Sequence, residues 1–357
     1  MNELMKNKSI FIVGGPGGVG KTTFASALGV QLATLGYRTL VLTVDPAKRL
    51  AQALGLDGFS SEIQAVPTES GVPPLLYASM LDSRRFIDRL IDRFAGSEQQ
   101  RNRLKRNPLY RVMVESLAGT QEYAAMERLL DVVKDDRFDK IVLDTPPTEN
   151  AIDLFTAPQR FADFMDQTIF RWFQSKPGAQ KSLWRSGTGF AMKGLQTLFG
   201  KEFMNSLGGF FSDLEGMQSG FRERNLAVLD LLRSDATCFL LVTTPTETRF
   251  LESVKFKGFL EAQRIPLSAV VLNRLEPSCP ETWIRPDRLP AEQAQKVEAI
   301  VHFSSLQYRH QKRWIDEFTR LFAPLPCHLL ERHFGELHNP QQLRLVWKQL
   351  DTAKRAA

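Results

Sequence analysis

One run near the start of the chain, Gly15-Pro16-Gly17-Gly18-Val19-Gly20-Lys21-Thr22, restricts the possible folds more than any other feature. It fits the pattern GxxxxGK[ST] and stands between the apolar run Ser9 to Val13 and a helical pattern from Thr22 to Leu35. In that context glycines let backbone N–H groups turn inward on phosphates, and the helix start adds its positive end. Lys21 is placed for the β and γ phosphates and the Thr22 hydroxyl for Mg²⁺. The run therefore predicts a nucleoside triphosphate site made by Gly15, Gly17, Gly18, Val19, Gly20, Lys21, Thr22 and Thr23. The competing reading, a glycine-rich turn with no ligand, is disfavoured by the strand before it and the helix after it.

The remaining pattern agrees with such a core. Ser9 to Val13, Thr39 to Val44, Lys140 to Leu143 and Thr237 to Val242 are short and almost wholly apolar, as buried parallel strands are. A fifth, Ser268 to Leu272, ends in Asn273, and helical patterns such as Glu247 to Ala262 lie between strands. This alternation predicts an α/β fold: a doubly wound, mostly parallel sheet in a P-loop core. The chain reads as one such domain over residues 1–357, with a helical subdomain built from insertions at about 75–135 and 159–232. In the first insertion Phe86, Ile87, Leu90, Ile91 and Phe94 share one helix face.

Composition removes several classes. With 46 Lys and Arg against 40 Asp and Glu, the net charge of +6 is not that of a polyelectrolyte, and 25 Phe allow a large core. Cys238, Cys279 and Cys327 form no CxxC and no disulfide framework, which predicts a reducing, cytoplasmic setting. No apolar run reaches the roughly 18 residues of a spanning helix. The five histidines share no ligand spacing, so no structural metal is expected.

Two carboxylates fall just beyond strand ends, where doubly wound sheets place their ligands: Asp45 and Asp144. Asp144 has the position of an acid that holds Mg²⁺, or of a turn residue before Pro146-Pro147. Asp45 is placed to orient or deprotonate an attacking water; with Pro46 it is also a good helix start.

Taken together, GGVGKTT (Gly17 to Thr23), TVDPAKRL (Thr43 to Leu50), LAGTQEYAAMERL (Leu117 to Leu129), DTPPTENAIDLFTAP (Asp144 to Pro158) and VVLNRL (Val270 to Leu275) resemble the ArsA/GET ATPases. These are the arsenite-pump and tail-anchored-protein-targeting ATPases of the deviant Walker A class, which also holds MinD, ParA and the nitrogenase iron protein. The spacing looks like the bacterial branch. The resemblance implies ATP and Mg²⁺ as ligands, Asp45 as the water-activating residue with Lys21 on the phosphates, and Asp144 to Thr148 as a γ-phosphate sensor. It also implies Asn273 as the adenine-reading residue and Pro324 or Pro326 as an apolar wall against the base. Three departures stand out. The signature lysine aligns with Pro16, which offers neither charge nor N–H, so Lys48, Arg49 or a partner subunit must supply that charge and hydrolysis is expected to be slow. There is no CxxC to share zinc across a dimer, and the cysteines are not clustered as in arsenite pumps.

Phe155 to Phe221 hold 11 of the 25 Phe, with Met165, Met192, Met204, Met217, Trp172 and Trp184. Such a stretch suits a groove for varied apolar segments, an ordinary core, or contact with a membrane surface. Its glycines, among them Gly187, Gly194 and Gly208, suggest a loop or lid. Arg101, Arg103, Lys105 and Arg106 form a basic cluster that reads as a solvated helix face, and nucleic acid is not expected as a partner. The final helix, with Leu343, Val346, Trp347 and Leu350, suits docking on the core or a lipid interface. The resemblance thus implies a homodimer, or a heterodimer with a related ATPase, whose nucleotide state governs a hydrophobic client such as a transmembrane or tail-anchored segment. A MinD- or ParA-like positioning ATPase on membrane or DNA, and an arsenite-efflux subunit, are the alternatives.

Overall fold

The computed structural model of the chain describes residues 1–44, 49–56, 61–67, 74–110, 120–146, 156, 200, 202, 206–214, 217–278, 290–333, 335, 337 and 339–352. In chain order the main elements are α1 (Asn2–Asn7), β1 (Ile10–Gly14), α2 (Lys21–Thr34), β2 (Thr39–Thr43), α3 (Arg49–Leu54), β3 (Gln64–Ala65), β4 (Leu76–Met80), α4 (Ser83–Phe94) and α5 (Glu98–Arg106). They continue with α6 (Thr120–Asp135), β5 (Lys140–Asp144), α7 (Gln218–Arg233), β6 (Thr237–Thr243), α8 (Glu247–Ala262), β7 (Leu267–Leu275), α9 (Ala291–Phe322), β8 (Cys327–Glu331) and α10 (Pro340–Thr352). Two compact units result: Met1–Met80, Asp135–Ile152 and Leu232–Ala357 in one, Leu81–Lys134 and Asp153–Leu231 in the other.

The first unit is an α/β unit on a single sheet of order β3-β4-β2-β5-β1-β6-β7-β8. Every described pairing is parallel except β3 with β4. Strands β1, β2, β5 and β6 are buried at every position, which explains their continuous apolar runs: helices cover both faces. On one face Phe11, Val13, Val41 and Leu240 share a core with Phe24 and Leu28 of α2 and with Leu343 and Trp347 of α10. The other face brings Phe239 to Phe256 of α8, with ring centroids 5.6 Å apart. Phe250 of α8 then packs on Trp314 and Phe318 of α9.

Strand β4 corrects the sequence reading, which had placed residues 75–80 in the helical insertion. The segment Leu76–Met80 pairs with β2 and buries Leu76, Ala78 and Ser79. Only five residues long and without a β-branched side chain, it carries almost none of the composition that marks strands. Strand β7 also runs past its expected end, to Leu275, through a register shift against β8 between Leu272 and Leu275. The central strands diverge at β1 and β5. Strand β1 leads through α2 toward β2, whereas β6, the next strand after β5, lies on the far side of β1. The crevice beyond their carboxyl ends is where a doubly wound sheet binds its ligand.

The second unit is helical. Asp82 caps α4 by accepting from the Arg85 N–H at 3.0 Å, and Phe86, Ile87, Leu90 and Ile91 are buried along its apolar face. A buried ionic clasp joins α6 to α7. The Arg224 guanidinium donates to the Glu127 carboxylate and, at 2.8 Å, to Asp131, which also accepts from Arg93 at 3.0 Å. Glu127 is fully buried and takes the Tyr123 hydroxyl at 2.8 Å. The basic cluster is largely neutralised within the unit: Lys105 pairs with Asp92 and Arg103 with Asp213, both at 2.6 Å, and Arg101 with Glu98 at 3.2 Å. Met217, Phe210 and Phe211 are buried, as ordinary core residues are. Met165, Met192, Met204, Trp172 and Trp184 lie outside the described residues. Among the described residues no helix is long and apolar enough to cross a membrane.

Candidate functional site

The glycine-rich run leaves β1 and enters α2 through contacts that only glycines permit. A Cβ on Gly15 would lie 1.9 Å from the Val242 carbonyl oxygen of the neighbouring strand β6, so any side chain would push the strands apart. Gly20 caps α2 in the left-handed region at φ 96°, and its Cβ would come within 2.4 Å of the Asn273 Nδ2. A Cβ on Gly18 would meet no protein atom within 4 Å, so the outer side of the loop opens into space. A phosphate group fits that cradle, at the amino end of a 14-residue helix.

The polar side chains converge on the same place. Lys21 is buried, and its Nζ donates to the Pro16 carbonyl at 2.9 Å. The Thr22 hydroxyl donates to Asp144 Oδ2 at 2.8 Å, and the Thr43 hydroxyl to the same oxygen at 3.0 Å. Asp144 is 1% exposed at the end of β5. A hydroxyl and a carboxylate in contact beside a phosphate cradle are oxygen donors of the kind Mg²⁺ takes, so the residues present fit that ion. The Asn273 side-chain amide donates to the Val19 carbonyl at 2.7 Å and so ties β7 to the loop. From α8, Arg249 braces the outer turn by donating to the Gly17 carbonyl at 3.1 Å, while its other arm holds Glu252.

Two adjoining cavities open around these groups. One, of about 350 Å³, is lined by Gly18, Gly20, Lys21 and Thr22, by Arg49 and Gln52 of α3, and by Thr145 and Pro146 after β5. The other, of about 520 Å³, is lined by Asn273, by Leu330 to His333 at the exit of β8, and by Val346 and Gln349 of α10. Gly20, Thr23, Arg274 and Leu337 line both. The first offers cations, backbone donors and hydroxyls to a phosphate chain, the second a half-apolar slot with an amide at its mouth.

Of the residues singled out in the sequence, Gly15, Gly17, Gly18, Val19, Gly20, Lys21, Thr22, Thr23, Asp144 and Asn273 are brought together here. Asp45, Lys48 and Thr148 lie outside the described residues. Pro326 requires correction. It sits at the entry of β8, where its carbonyl accepts from Val270 N–H, and parallel pairing puts that entry at the opposite end of the sheet from the cavities. The apolar wall of the second cavity comes instead from Leu330, Leu337 and Val346. Pro324, the other proline considered, is exposed in the turn before it. The sequence reading also missed Arg274 and the α10 residues. Arg274 stands inside VVLNRL, next to the asparagine that drew attention, whereas nothing local marks Val346 or Gln349 as lining a site that opens far earlier in the chain. Burial pushes the Cys238 thiol up to about 11 and raises that of Cys327 as well. Neither is a ready thiolate for a soft ion.

The family profile described as anion-transporting ATPase matches residues 8–305 of the chain. The sequence is 26% identical over 294 residues to "ATPase GET3C" of Arabidopsis thaliana, covering 77% of this chain and 70% of that one. It is 25% identical over 301 residues to "ATPase get3" of Schizosaccharomyces japonicus, covering 80% and 82%. It is 22% identical over 331 residues to "Putative arsenical pump-driving ATPase 1" of Aquifex aeolicus, covering 89% and 72%.

Proposed function

The chain belongs to the anion-transporting ATPase family, and from that premise we propose that it is an ATP-binding and ATP-hydrolysing switch whose nucleotide state governs its hold on a hydrophobic client segment. The observation that carries this reading is the pair of adjoining cavities at the carboxyl ends of β1, β5 and β7, one suited to phosphates and one to a base.

In this reading the triphosphate enters the smaller cavity, and the backbone N–H groups of Gly15 and of Gly17 to Thr23 close around it. Lys21 exchanges the Pro16 carbonyl for the β and γ phosphate oxygens. Asn273 meets the adenine edge at the mouth of the larger cavity. Thr22 and Asp144 would hold magnesium, whose positive charge would offset the negative charge of the phosphate oxygens. Asp45 accepts a proton from water, the water oxygen bonds to the γ-phosphorus, and ADP departs with the electron pair of the broken bond. Because Pro16 carries no charge, Arg49 at the wall of the smaller cavity would stand in for that cation within the same chain, and turnover by the isolated protein is slow. Assembly with a second, related subunit and coupling to the helical unit would complete the switch.

Calorimetry with Mg-ATP and a phosphate-release assay test the chemistry. Wild type binds and turns over slowly, Lys21→Ala weakens binding by about a hundredfold or more, and Asp45→Asn keeps binding but loses turnover. Well-folded wild type that takes up no Mg-ATP refutes the whole reading. For the coupling, proteins co-purifying with Asp45→Asn and with Lys21→Ala are compared by mass spectrometry, and identical sets refute a nucleotide-dependent switch.

A further inference from the structure

Among the described residues three non-glycine residues lie in the left-handed backbone region: Asp136, Arg264 and Arg274. Asp136 and Arg264 follow the ends of α6 and α8, where chains often adopt that conformation. Arg274, at φ 60°, does so inside a strand, at the register shift where β7 spends one residue more than β8 between Leu272 and Leu275. A bulge of this kind beside a cavity re-aims a side chain, and here the residue concerned is one of the four that line both halves of the nucleotide trench.

Of those four, Gly20, Thr23, Arg274 and Leu337, only Arg274 is charged. The other cations of the trench are elsewhere. Lys21 reaches the Pro16 carbonyl, Arg49 lines only the smaller cavity, and Arg332 lines only the larger one and pairs with Glu276 at 2.9 Å. Arg274 takes no ion pair or side-chain hydrogen bond among the described residues.

We infer that Arg274 binds the α-phosphate of the nucleotide, at the point where the chain of phosphates passes into the ribose and base. The inference rests on the proposed ATP site and deepens it. A nucleotide that spans the two cavities puts its α-phosphate in the passage between them, and the guanidinium fork suits two of its oxygens at once. With Pro16 leaving the loop without its own additional cation, Arg274 gives the phosphate chain a positive contact at its inner end, distinct from that of Lys21 at the outer end.

The test uses the full chain and four ligands, adenosine, AMP, ADP and ATP, measured by calorimetry, with displacement of a fluorescent ADP analogue for the weaker ones. Arg274→Ala is expected to weaken AMP, ADP and ATP by about ten- to a hundredfold and to leave adenosine unchanged. Arg274→Lys, which keeps the charge and gives up the fork, restores only part of the loss. Arg274→Gly suits the left-handed backbone, so it gives the same ligand losses as Arg274→Ala with no fall in melting temperature. Unchanged affinity for AMP and ADP overturns the inference while leaving the ATP site standing. Equal losses for adenosine and AMP also overturn it, because the contact then lies on the sugar or base. Wild type that binds none of the four overturns the site reading as well.

Discussion

Gly20→Ala probes the close approach of the glycine loop to β7. At φ 96° an alanine pays the left-handed backbone cost, about 1–2 kcal/mol. Its Cβ would also stand 2.4 Å from Asn273 Nδ2, so the asparagine must swing away and give up its 2.7 Å hydrogen bond to the Val19 carbonyl, which costs about 1 kcal/mol more. The single variant should therefore lose about 2–3 kcal/mol of stability. Asn273→Ala alone should lose only the hydrogen bond, about 1 kcal/mol. In the double variant that bond is lost once and the collision is absent, so its loss should match that of Gly20→Ala, leaving a coupling of about 1 kcal/mol between the sites. Urea unfolding of the four proteins, followed by fluorescence, gives the cycle. Additive losses, or a Gly20→Ala protein as stable as wild type, would show that the glycine and the asparagine do not share the space described above.

Two further outcomes concern groups away from the loop. Arg224→Ala strands the fully buried Glu127 carboxylate and should cost about 3–5 kcal/mol in urea unfolding. Burial already holds the Glu127 carboxyl above its usual range, so the folded state binds more protons than the unfolded one and stability from this group falls as pH rises. The deficit should accordingly be larger at pH 8 than at pH 5, and a pH-independent deficit would refute the assignment. Cys238, with its thiol pushed up to about 11, should resist iodoacetamide at pH 8 until the protein unfolds, and peptide mapping that finds it alkylated in folded protein would contradict its burial.

The parts of the fold written in local patterns were legible in the sequence. Strands β1, β2, β5 and β6 are buried on both faces and so read as unbroken apolar runs, and the helix Glu247–Ala262 begins and ends where its periodicity does. Strand β4 was hidden because LYASM has neither alternation nor β-branched residues, and its place in the sheet comes from pairing with β2. The glycine loop that lines the smaller cavity was legible for a similar reason: its residues are consecutive. The larger cavity is assembled from β7, β8 and α10, which meet only in the folded sheet, so the sequence left Pro324 and Pro326 open as its apolar wall, and the parallel register shows which end of β8 faces the cavity. The left-handed Arg274 has no counterpart in residue type, since arginine carries no preference for that conformation.

Helix α10 packs Trp347 against Phe24 of α2, and its Val346 and Gln349 form part of the wall of the larger cavity. A ribosome reading this message completes the glycine loop hundreds of codons before it supplies that wall. In the proposed ATP site a nascent chain would therefore carry the phosphate loop without a finished base pocket, and firm capture of nucleotide would wait until synthesis has passed Gln349 and this helix has docked.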